Sequence, residues 1–219
     1  MKHYKVLPIS YNDTKPFILD IHYAKRMPSV IQYSFGLFYK NELVGVVCYG
    51  SPASQALCKG VAGIENKPLV KELSRLVLKN NIKNEASFLV GNSLKMLDKP
   101  LIIVSYADTS QHHTGYIYQA TNFIYTGLSD KRTEWRQKNS NKHNKTVQEQ
   151  YSLKERKDNP DKFYVRDRPR KHRYLYIIAN KKDKKNLLKK LKYPIFDYPK
   201  FQNKNYKTDT NITTQGLLI

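Results

Sequence analysis

The sequence has few cysteines, few acidic residues and no long apolar run. Its two cysteines, Cys48 and Cys58, form no CxxC pair, so they indicate free thiols in a reducing compartment rather than a disulfide framework or a zinc knuckle. No segment reaches the roughly 18 consecutive apolar residues that a membrane helix needs. No continuous apolar segment follows the initial methionine, so we expect no secretory signal, and hence a cytoplasmic protein.

The signatures of several large enzyme classes are missing as well. The chain contains no P-loop, no HExxH motif and no GxSxG nucleophile elbow. Phosphate cradling by a Walker loop, zinc proteolysis and hydrolysis at a nucleophile elbow are therefore not indicated.

Positive charge is the feature that the sequence has in excess. Against 18 acidic residues stand 39 Lys and Arg, a formal net charge of +21. The excess is uneven, with net +5 in residues 1–130 and net +16 in 131–219. A basic region beside a nearly balanced one predicts a polyanion-binding part attached to a folded body, and nucleic acid is the commonest polyanion. A lysine- and asparagine-rich surface typical of an AT-rich genome is the alternative explanation.

The apolar pattern predicts strands and helices that alternate along the chain. We expect strands in YKVLPIS, VKELSRLVL, PLIIVSYAD, FIYTGL and HRYLYII, and a hairpin in YSFGLFYKNELVGVVCYG. Helices are expected in DTKPFILDIHYAKRM, NEASFLVGNSLKML, TGYIYQATN and KKDKKNLLKKL, and a loop in SPASQALCKGVAGIEN. This order predicts an α+β (α/β-like) fold: one domain over residues 1–219 with a central mixed sheet flanked by helices, ending in a loose tail at 205–219.

Residues 131–170 form a polar stretch with almost no hydrophobic period. It is too long for an ordinary connector, so it is either a functional insertion or disordered. Basic and aromatic residues interleave here and just beyond, in a pattern that grips nucleic acid by phosphate pairing and base stacking. We therefore predict a DNA-binding arm, with an ordinary solvated insertion as the alternative. Its candidate contacts are Arg132, Trp135, Arg136, Arg166, Arg168, Arg170, Lys171 and Arg173.

The stretch SYADTSQHHTGYIYQATNF, which follows the buried run LIIV, holds one group of candidate site residues. Asp108 ends the predicted strand, and ligands bind beyond the carboxyl ends of such strands; capping the next turn is the alternative role. Of His112 and His113, at most one can face a small site. Tyr118 can reach the same crevice or pack in the core.

A second group of candidates lies on other predicted elements. His22 and Tyr23 are adjacent in the first helix, where half-buried structure is the alternative. Arg75 lies among apolar strand residues, so it requires an anionic partner or an exposed face; Glu72 or a ligand anion can serve. Ser87 opens the next helix, where serine is also simply a good early-turn residue.

Five segments that stand in order along the chain carry a family resemblance: DIHYAKRMPS, LVGVVCYGSPAS, KELSRLVL, NEASFLVGNSLKML and VSYADTSQHHTGYIYQATNFIYTG. Together they resemble the Mom family of phage DNA-modification proteins, over roughly residues 5–130 and again at KHRYLYI. The resemblance implies a GNAT-like acyltransferase fold. It also implies an enzyme that converts adenine in DNA to N6-carbamoylmethyladenine, a mark that shields phage DNA from host restriction enzymes.

The resemblance assigns roles to particular residues. The catalytic set that it implies is His22, Tyr23, Arg75, Ser87, Asp108 and Tyr118. It further implies an iron site formed by His22, Tyr23 and Asp108, ligands of a type that suits such a metal. The implied partner is double-stranded DNA with a flipped adenine, since the N6 amine is otherwise buried in a base pair.

One departure from the GNAT pattern concerns the donor. Acyl-CoA-binding members follow the fourth strand with a glycine-rich R/QxxGxG/A loop whose backbone N–H groups hold the pyrophosphate. Here that place reads LVLKNNIKNEAS, without glycine, and side chains obstruct close backbone approach. Acetyl-CoA stays one candidate donor, and the sequence does not identify the source of the two-carbon amide unit.

Two other functions compete with DNA modification. A conventional GNAT N-acetyltransferase acting on a protein or small-molecule amine would bind CoA. A non-enzymatic nucleic-acid-binding protein would keep its DNA affinity when His22, Asp108 and Tyr118 are changed, and would yield no chemical product.

Overall fold

The structure is a computed structural model that describes residues 1–140, 142 and 144–199, so the tail predicted at 205–219 lies outside it. Its strands are β1 (Tyr4–Pro8), β2 (Tyr33–Tyr39), β3 (Glu42–Gly50), β4 (Val70–Leu78), β5 (Leu101–Asp108), β6 (Ile124–Leu128), β7 (Thr133–Gln137), β8 (Phe163–Asp167) and β9 (Lys171–Ile178). Its helices are α1 (Tyr11–Pro16), α2 (Gln55–Ala62), α3 (Glu85–Met96), α4 (Tyr116–Ala120), α5 (Asn144–Gln150), α6 (Leu153–Asp158) and α7 (Lys181–Lys190).

The described residues form two compact units, 1–127 with 172–199, and 128–171. In the first unit seven strands make one sheet in the order β1-β2-β3-β4-β5-β9-β6. The pairs from β1 to β4 are antiparallel, and β4 and β5 are parallel. The predicted α+β class with a central mixed sheet is therefore confirmed. No helix in the described ranges is long and apolar enough to cross a bilayer.

The predicted hairpin is β2–β3, and its turn shows why the sequence forms it. Lys40 and Asn41 both have positive φ, 46° and 70°. Two left-handed residues in succession match the twist of paired strands, and asparagine adopts that conformation more easily than most residues.

The first helix is shorter than predicted. α1 ends at Pro16, and one π-helical turn, Phe17–Ile21, follows it, with the His22 N–H donating to the Phe17 carbonyl. Proline lacks the N–H that would continue the α-helical ladder. His22 itself is extended (φ −64°, ψ 135°), so the prediction that His22 and Tyr23 lie within a helix is wrong: they follow it.

The predicted loop at 51–66 is also wrong, because it contains α2. The Ser54 hydroxyl accepts a hydrogen bond from the Leu57 N–H and caps the helix. The helix then packs against the sheet through one apolar stripe, which is formed by Cys58, Val61 and Ala62.

Helices cover the sheet on both faces. On one face α3 and α4 pack on a large core that includes Leu73, Leu76 and Tyr118. On the other, α2 and α7 cover the β5 and β9 region, and the π turn packs with Phe17 and Ile18 on Cys48 and Val77.

The sheet opens between β4 and β5, which run parallel. The β4–β5 ladder has three rungs, of which Glu72↔Val104 is the last. Both strands run on, β4 through residues 73–78 against β3 and β5 through 105–108. We call the gap between these two strand ends the β4–β5 opening.

The second unit is a two-stranded ribbon backed by two helices. β7 and β8 pair antiparallel from Thr133↔Asp167 to Gln137↔Phe163. Val147 of α5 and Phe163 are buried between ribbon and helices.

Two glycines test the packing of the first unit. A Cβ added to Gly50 would lie 2.8 Å from the carbonyl carbon of Val30 and closer still to its oxygen, whereas one added to Gly91 in α3 meets Thr121 Cγ2 at 3.9 Å. We expect Gly50→Ala to lower the free energy of unfolding by about 1–3 kcal/mol, and Gly91→Ala to raise it by about 0.5–1 kcal/mol because alanine favours the helix. Urea denaturation of both variants measures this; equal effects would contradict the described packing.

Candidate functional site at the β4–β5 opening

A bulge in β4 sets the direction of side chains at the opening. Cys48 of β3 pairs with Arg75, but Tyr49 pairs with Leu73, so Ser74 is an extra residue without a rung. The Ser74 hydroxyl donates to the Cys48 carbonyl at 3.2 Å. Bulges re-aim side chains, and this one turns Arg75 to the face that the π turn covers.

His22 and Tyr23 lie together on that face. Their ring centroids are 4.4 Å apart, with 31° between the planes. His22 is buried, and its Nδ1 accepts a hydrogen bond from the Ala24 N–H at 3.0 Å. Burial, with the Arg75 charge adding to it, lowers the pKa of His22 to about 3, so the ring is neutral. A neutral ring that accepts at Nδ1 carries its proton on Nε2. That N–H meets no partner among the described residues.

Arg75 holds this segment in place through a backbone carbonyl. Its Nε and Nη2 both donate to the Arg26 carbonyl, at 3.2 and 2.7 Å, and Nη1 donates to the Ser74 carbonyl at 2.7 Å. Burial lowers the pKa of Arg75, and the nearby Tyr23 and Glu72 partly oppose that shift. Three of the five guanidinium N–H groups are thus engaged, and the strand arginine anchors the chain that follows the π turn.

Tyr118 enters the opening from the opposite face. Its side chain is fully buried, with its ring 5.3 Å from that of Tyr174. Burial raises the pKa of its phenol, and Tyr23 and Glu72 raise it further. Although the Ser105 hydroxyl is close enough to oppose the rise, no described atom meets Tyr118 Oη in hydrogen-bond geometry. Buried polar atoms are seldom left this way, so the Tyr118 hydroxyl calls for an explanation.

Asp108 ends β5, as predicted. Its Oδ1 accepts from the Ser110 N–H at 3.0 Å and from the Ser110 hydroxyl at 2.7 Å, so it also caps the single 3₁₀ turn Thr109–Gln111. The His113 backbone N–H donates to the Asp108 carbonyl. His113 is buried, and neither ring nitrogen has a partner in the described residues. Burial lowers the pKa of His113 to about 4, against the opposing pull of Asp108.

Ser87 does not join this cluster through any hydrogen bond of the described residues. Its hydroxyl donates to the Asn84 carbonyl at 3.1 Å within the first turn of α3. Its catalytic role stays a prediction.

The start of α3 does not fit a CoA pyrophosphate. Glu85, the first residue of the helix, is buried; its Oε2 accepts from the Ile82 N–H at 3.1 Å, and its Oε1 accepts from the Tyr4 hydroxyl at 2.8 Å. A protein carboxylate therefore already lies where the helix would attract an anion.

The implied iron site does not fit this arrangement either. His22 presents an N–H at Nε2, and its Nδ1 lone pair is used by Ala24, so neither nitrogen offers a lone pair to a metal. In the described part of the chain no three His, Cys, Asp or Glu residues cluster as a metal site requires. Ligation by Tyr23 and Asp108 stays a prediction.

Several arginines proposed for DNA contact are engaged in folding. Arg136 and Arg166 both pair with the buried Glu134 at 2.8 Å. Arg170 donates to the Ser129 carbonyl at 2.6 Å. Arg173 is buried; its Nε donates to the Thr126 hydroxyl at 3.0 Å, and its guanidinium lies 3.3 Å from the Tyr193 ring centroid.

The remaining candidates differ in exposure. Arg132 and Arg168 are exposed. Trp135 is half-buried with the Arg156 guanidinium 5.3 Å from its ring, and Lys171 is half-buried with its backbone N–H bonded to the Ser129 hydroxyl.

The sequence reasoning missed Ser105 and Glu85 and left His113 undecided. Ser105 gave no signal beyond its place in a buried strand. The signal for His113 was its position five residues after a strand-end acid, but its burial depends on the tertiary fold.

Residues 3–200 match the sequence profile of the Mom protein family. No curated protein matches the chain significantly in sequence.

Similar solved structures include three bacterial acetyltransferases. The Bacillus subtilis acetyltransferase in complex with CoA has 13% identity and a TM-score of 0.45, with 80% of this chain and 99% of that chain covered. A GNAT family acetyltransferase from Bacillus cereus has 13% identity and a TM-score of 0.44, covering 81% and 99%. The ribosomal-protein-S5-alanine acetyltransferase from Vibrio fischeri has 11% identity and a TM-score of 0.47, covering 82% and 96%.

The burial of His113 predicts an acid-dependent stability. Between pH 6.5 and 4 the unfolded chain binds a proton at this residue that the folded protein excludes. The free energy of unfolding therefore falls as the pH drops through this window, by up to about 1.4 kcal/mol per pH unit from this group. In denaturation curves across the window, His113→Gln should flatten the dependence. His112→Gln, an exposed neighbour, controls for the substitution, and an unchanged slope in His113→Gln would contradict the account.

Proposed function

The chain belongs to the Mom protein family, and from this we propose that it is a transferase that modifies DNA, converting adenine to N6-carbamoylmethyladenine. The mark would protect phage DNA from host restriction enzymes. The observation that carries the proposal within the structure is the pair of buried polar atoms, His22 Nε2 and Tyr118 Oη, without described partners at the β4–β5 opening. Groups preorganised in this way are ready for a ligand.

Adenine must leave the helix to reach such a site. Its N6 amine is buried in a base pair, and enzymes that act on a base flip it into a pocket. Tyr23, 39% exposed beside the buried His22, offers an aromatic face at the edge of the opening on which a flipped base can stack.

We assign donor and acceptor roles to three groups around the base. The His22 Nε2–H donates to a ring nitrogen or to the amide oxygen of the incoming unit. Tyr118 Oη, whose pKa is raised by burial, stays a neutral hydroxyl that can both donate and accept. When N6 bonds to the methylene carbon of the donor, the bond from that carbon to the rest of the donor breaks, and its electron pair departs with this leaving group. N6 then releases one proton, and we assign the acceptance of that proton to the Asp108 carboxylate at the end of β5.

Arg75 acts first by positioning. Its two N–H bonds to the Arg26 carbonyl fix the segment that carries His22 and Tyr23. Its two remaining N–H groups can bind the amide oxygen or an anionic group of the donor.

The central prediction concerns one oxygen atom. Tyr118→Phe removes a buried hydroxyl that has no described partner, so the free energy of unfolding should stay the same or rise, by up to about 1–3 kcal/mol. Modification should be lost, as read by mass spectrometry of nucleosides from the DNA of expressing cells.

Tyr49→Phe is the matched control. Tyr49 is equally buried, but its hydroxyl shares a 2.7 Å hydrogen bond with Ser93. This variant should lose about 0.5–1.5 kcal/mol of unfolding free energy and keep the modification. Unmodified adenine with the well-folded wild-type protein would instead favour an acetyltransferase of other amines or a binding protein.

A second prediction concerns the donor. Because Glu85 occupies the start of α3, CoA should not raise the melting temperature of the purified protein. Thermal unfolding with and without CoA measures this. A concentration-dependent rise would contradict the proposal and restore acetyl-CoA as the donor.

A further inference from the structure

The β7–β8 ribbon has two faces with different chemistry. Residues opposite one another in an antiparallel pair share a face, and the face alternates along each strand. Trp135 and Val165 form one rung, and Gln137 and Phe163 another, on the face that packs against α5 and α6. Phe163 is buried there against Tyr151, with ring centroids 4.8 Å apart.

The opposite side, which we call the ribbon face, is formed by the alternate residues. Its rungs are Glu134↔Arg166 and Arg136↔Tyr164. The Arg168 N–H donates to the Arg132 carbonyl at 2.7 Å, which extends the ladder by one more rung. The ribbon face therefore includes Arg132, Glu134, Arg136, Tyr164, Arg166 and Arg168.

A buried carboxylate organises its centre. Glu134 is 5% exposed, and its Oε1 accepts from Arg136 Nε at 2.8 Å and from Arg166 Nε and Nη2 at 2.9 and 2.8 Å. Two guanidinium groups lower the pKa of Glu134 despite its burial, which alone would raise it. Arg136 also donates to the Lys142 carbonyl. The pair of arginines is fixed in direction, and Arg166 stays 45% exposed.

The end rung lacks such compensation. Arg132 and Arg168 lie directly opposite each other, and like charges in that relation are unfavourable. The side chain of Arg132 is 69% exposed, and its ion pair with Asp130 spans 3.9 Å in an equally solvated place. Tyr164, 41% exposed, adds an aromatic ring on the rung that it shares with Arg136. An arrangement that costs stability and presents arginines outward suits an anionic partner.

We propose that the ribbon face binds duplex DNA, lying in the major groove with Arg132 and Arg168 on phosphates and Tyr164 and Arg166 toward the bases. A two-stranded ribbon fits the major groove, which is about 12 Å wide. The proposal rests on the proposed function, whose substrate is DNA, and adds the surface that holds it. Glu134 and Arg136 act as positioning residues for Arg166.

The test compares two double variants of the full-length protein with equal charge loss. Arg132→Gln/Arg168→Gln alters the ribbon face, and Lys154→Gln/Lys157→Gln alters exposed residues of α6 in the same unit. Binding of a fluorescent duplex is followed by anisotropy over a salt series. The arginine variant should bind roughly tenfold more weakly and lose about two from the slope of log K against log salt. The lysine variant should stay within about twofold of wild type, as expected for charges remote from a phosphate.

Equal losses in both variants, or none in the arginine variant, would overturn the proposal. Circular dichroism confirms that each variant folds, and Arg168→Glu, which reverses one exposed charge, should weaken binding further than Arg168→Gln. Mass spectrometry of nucleosides from the DNA of cells that express the wild type or the arginine variant separates the two proposals. If the DNA contains modified adenine but the arginine variant binds the duplex as wild type does, the ribbon face is not the DNA-binding surface, and the proposed enzymatic function still holds. If the arginine variant loses DNA binding but wild-type cells contain no modified adenine, the proposed enzymatic function fails, and the ribbon face still holds as a DNA-binding surface.

Discussion

The termination of the β4–β5 ladder at Glu72↔Val104 is the constraint on which the first unit depends. Because the strands separate there, Arg75 with its anchored segment lies on one face of the sheet beside β4, and Tyr118 lies in the core of the other face. The bulge at Ser74 lets β4 keep its pairing with β3 while it turns away from β5. A continuous ladder would fill the opening with backbone hydrogen bonds and leave no place for a ligand.

The polar groups of the opening carry a stability cost that packing elsewhere offsets. A buried hydroxyl or imidazole N–H without a partner destabilises a fold by about 1–3 kcal/mol. Tyr118 and His22 both do so, while Tyr49, buried on the same face as Tyr118, has its partner in Ser93. The proposed ligand contacts of Tyr118 rest on this difference between two equally buried tyrosines.

The sequence predicted most strands because alternation and β-branched runs are local signals. It failed at α2, because the many small residues around the apolar stripe of this helix, which Ser54 caps, resemble a loop. It failed also at the first helix, which ends at Pro16 and is followed by a π turn. The strand arginine was predicted to need a partner, but its partner is the Arg26 carbonyl, which no pattern of charges reveals. The roles of Arg136 and Arg166 likewise depend on a register across 32 residues, since Glu134 pairs with both only once β7 meets β8.

The most direct test of the central claim is photocrosslinking of the protein to duplex DNA that carries a photoreactive adenine at a modified position. If the adenine enters the β4–β5 opening, crosslinked peptides will contain Tyr23 or Tyr118, and Tyr118→Phe will still crosslink at Tyr23. Crosslinks confined to peptides of residues 128–171, with none from either tyrosine, would show that DNA binds without delivering its base to the opening, and would contradict the account.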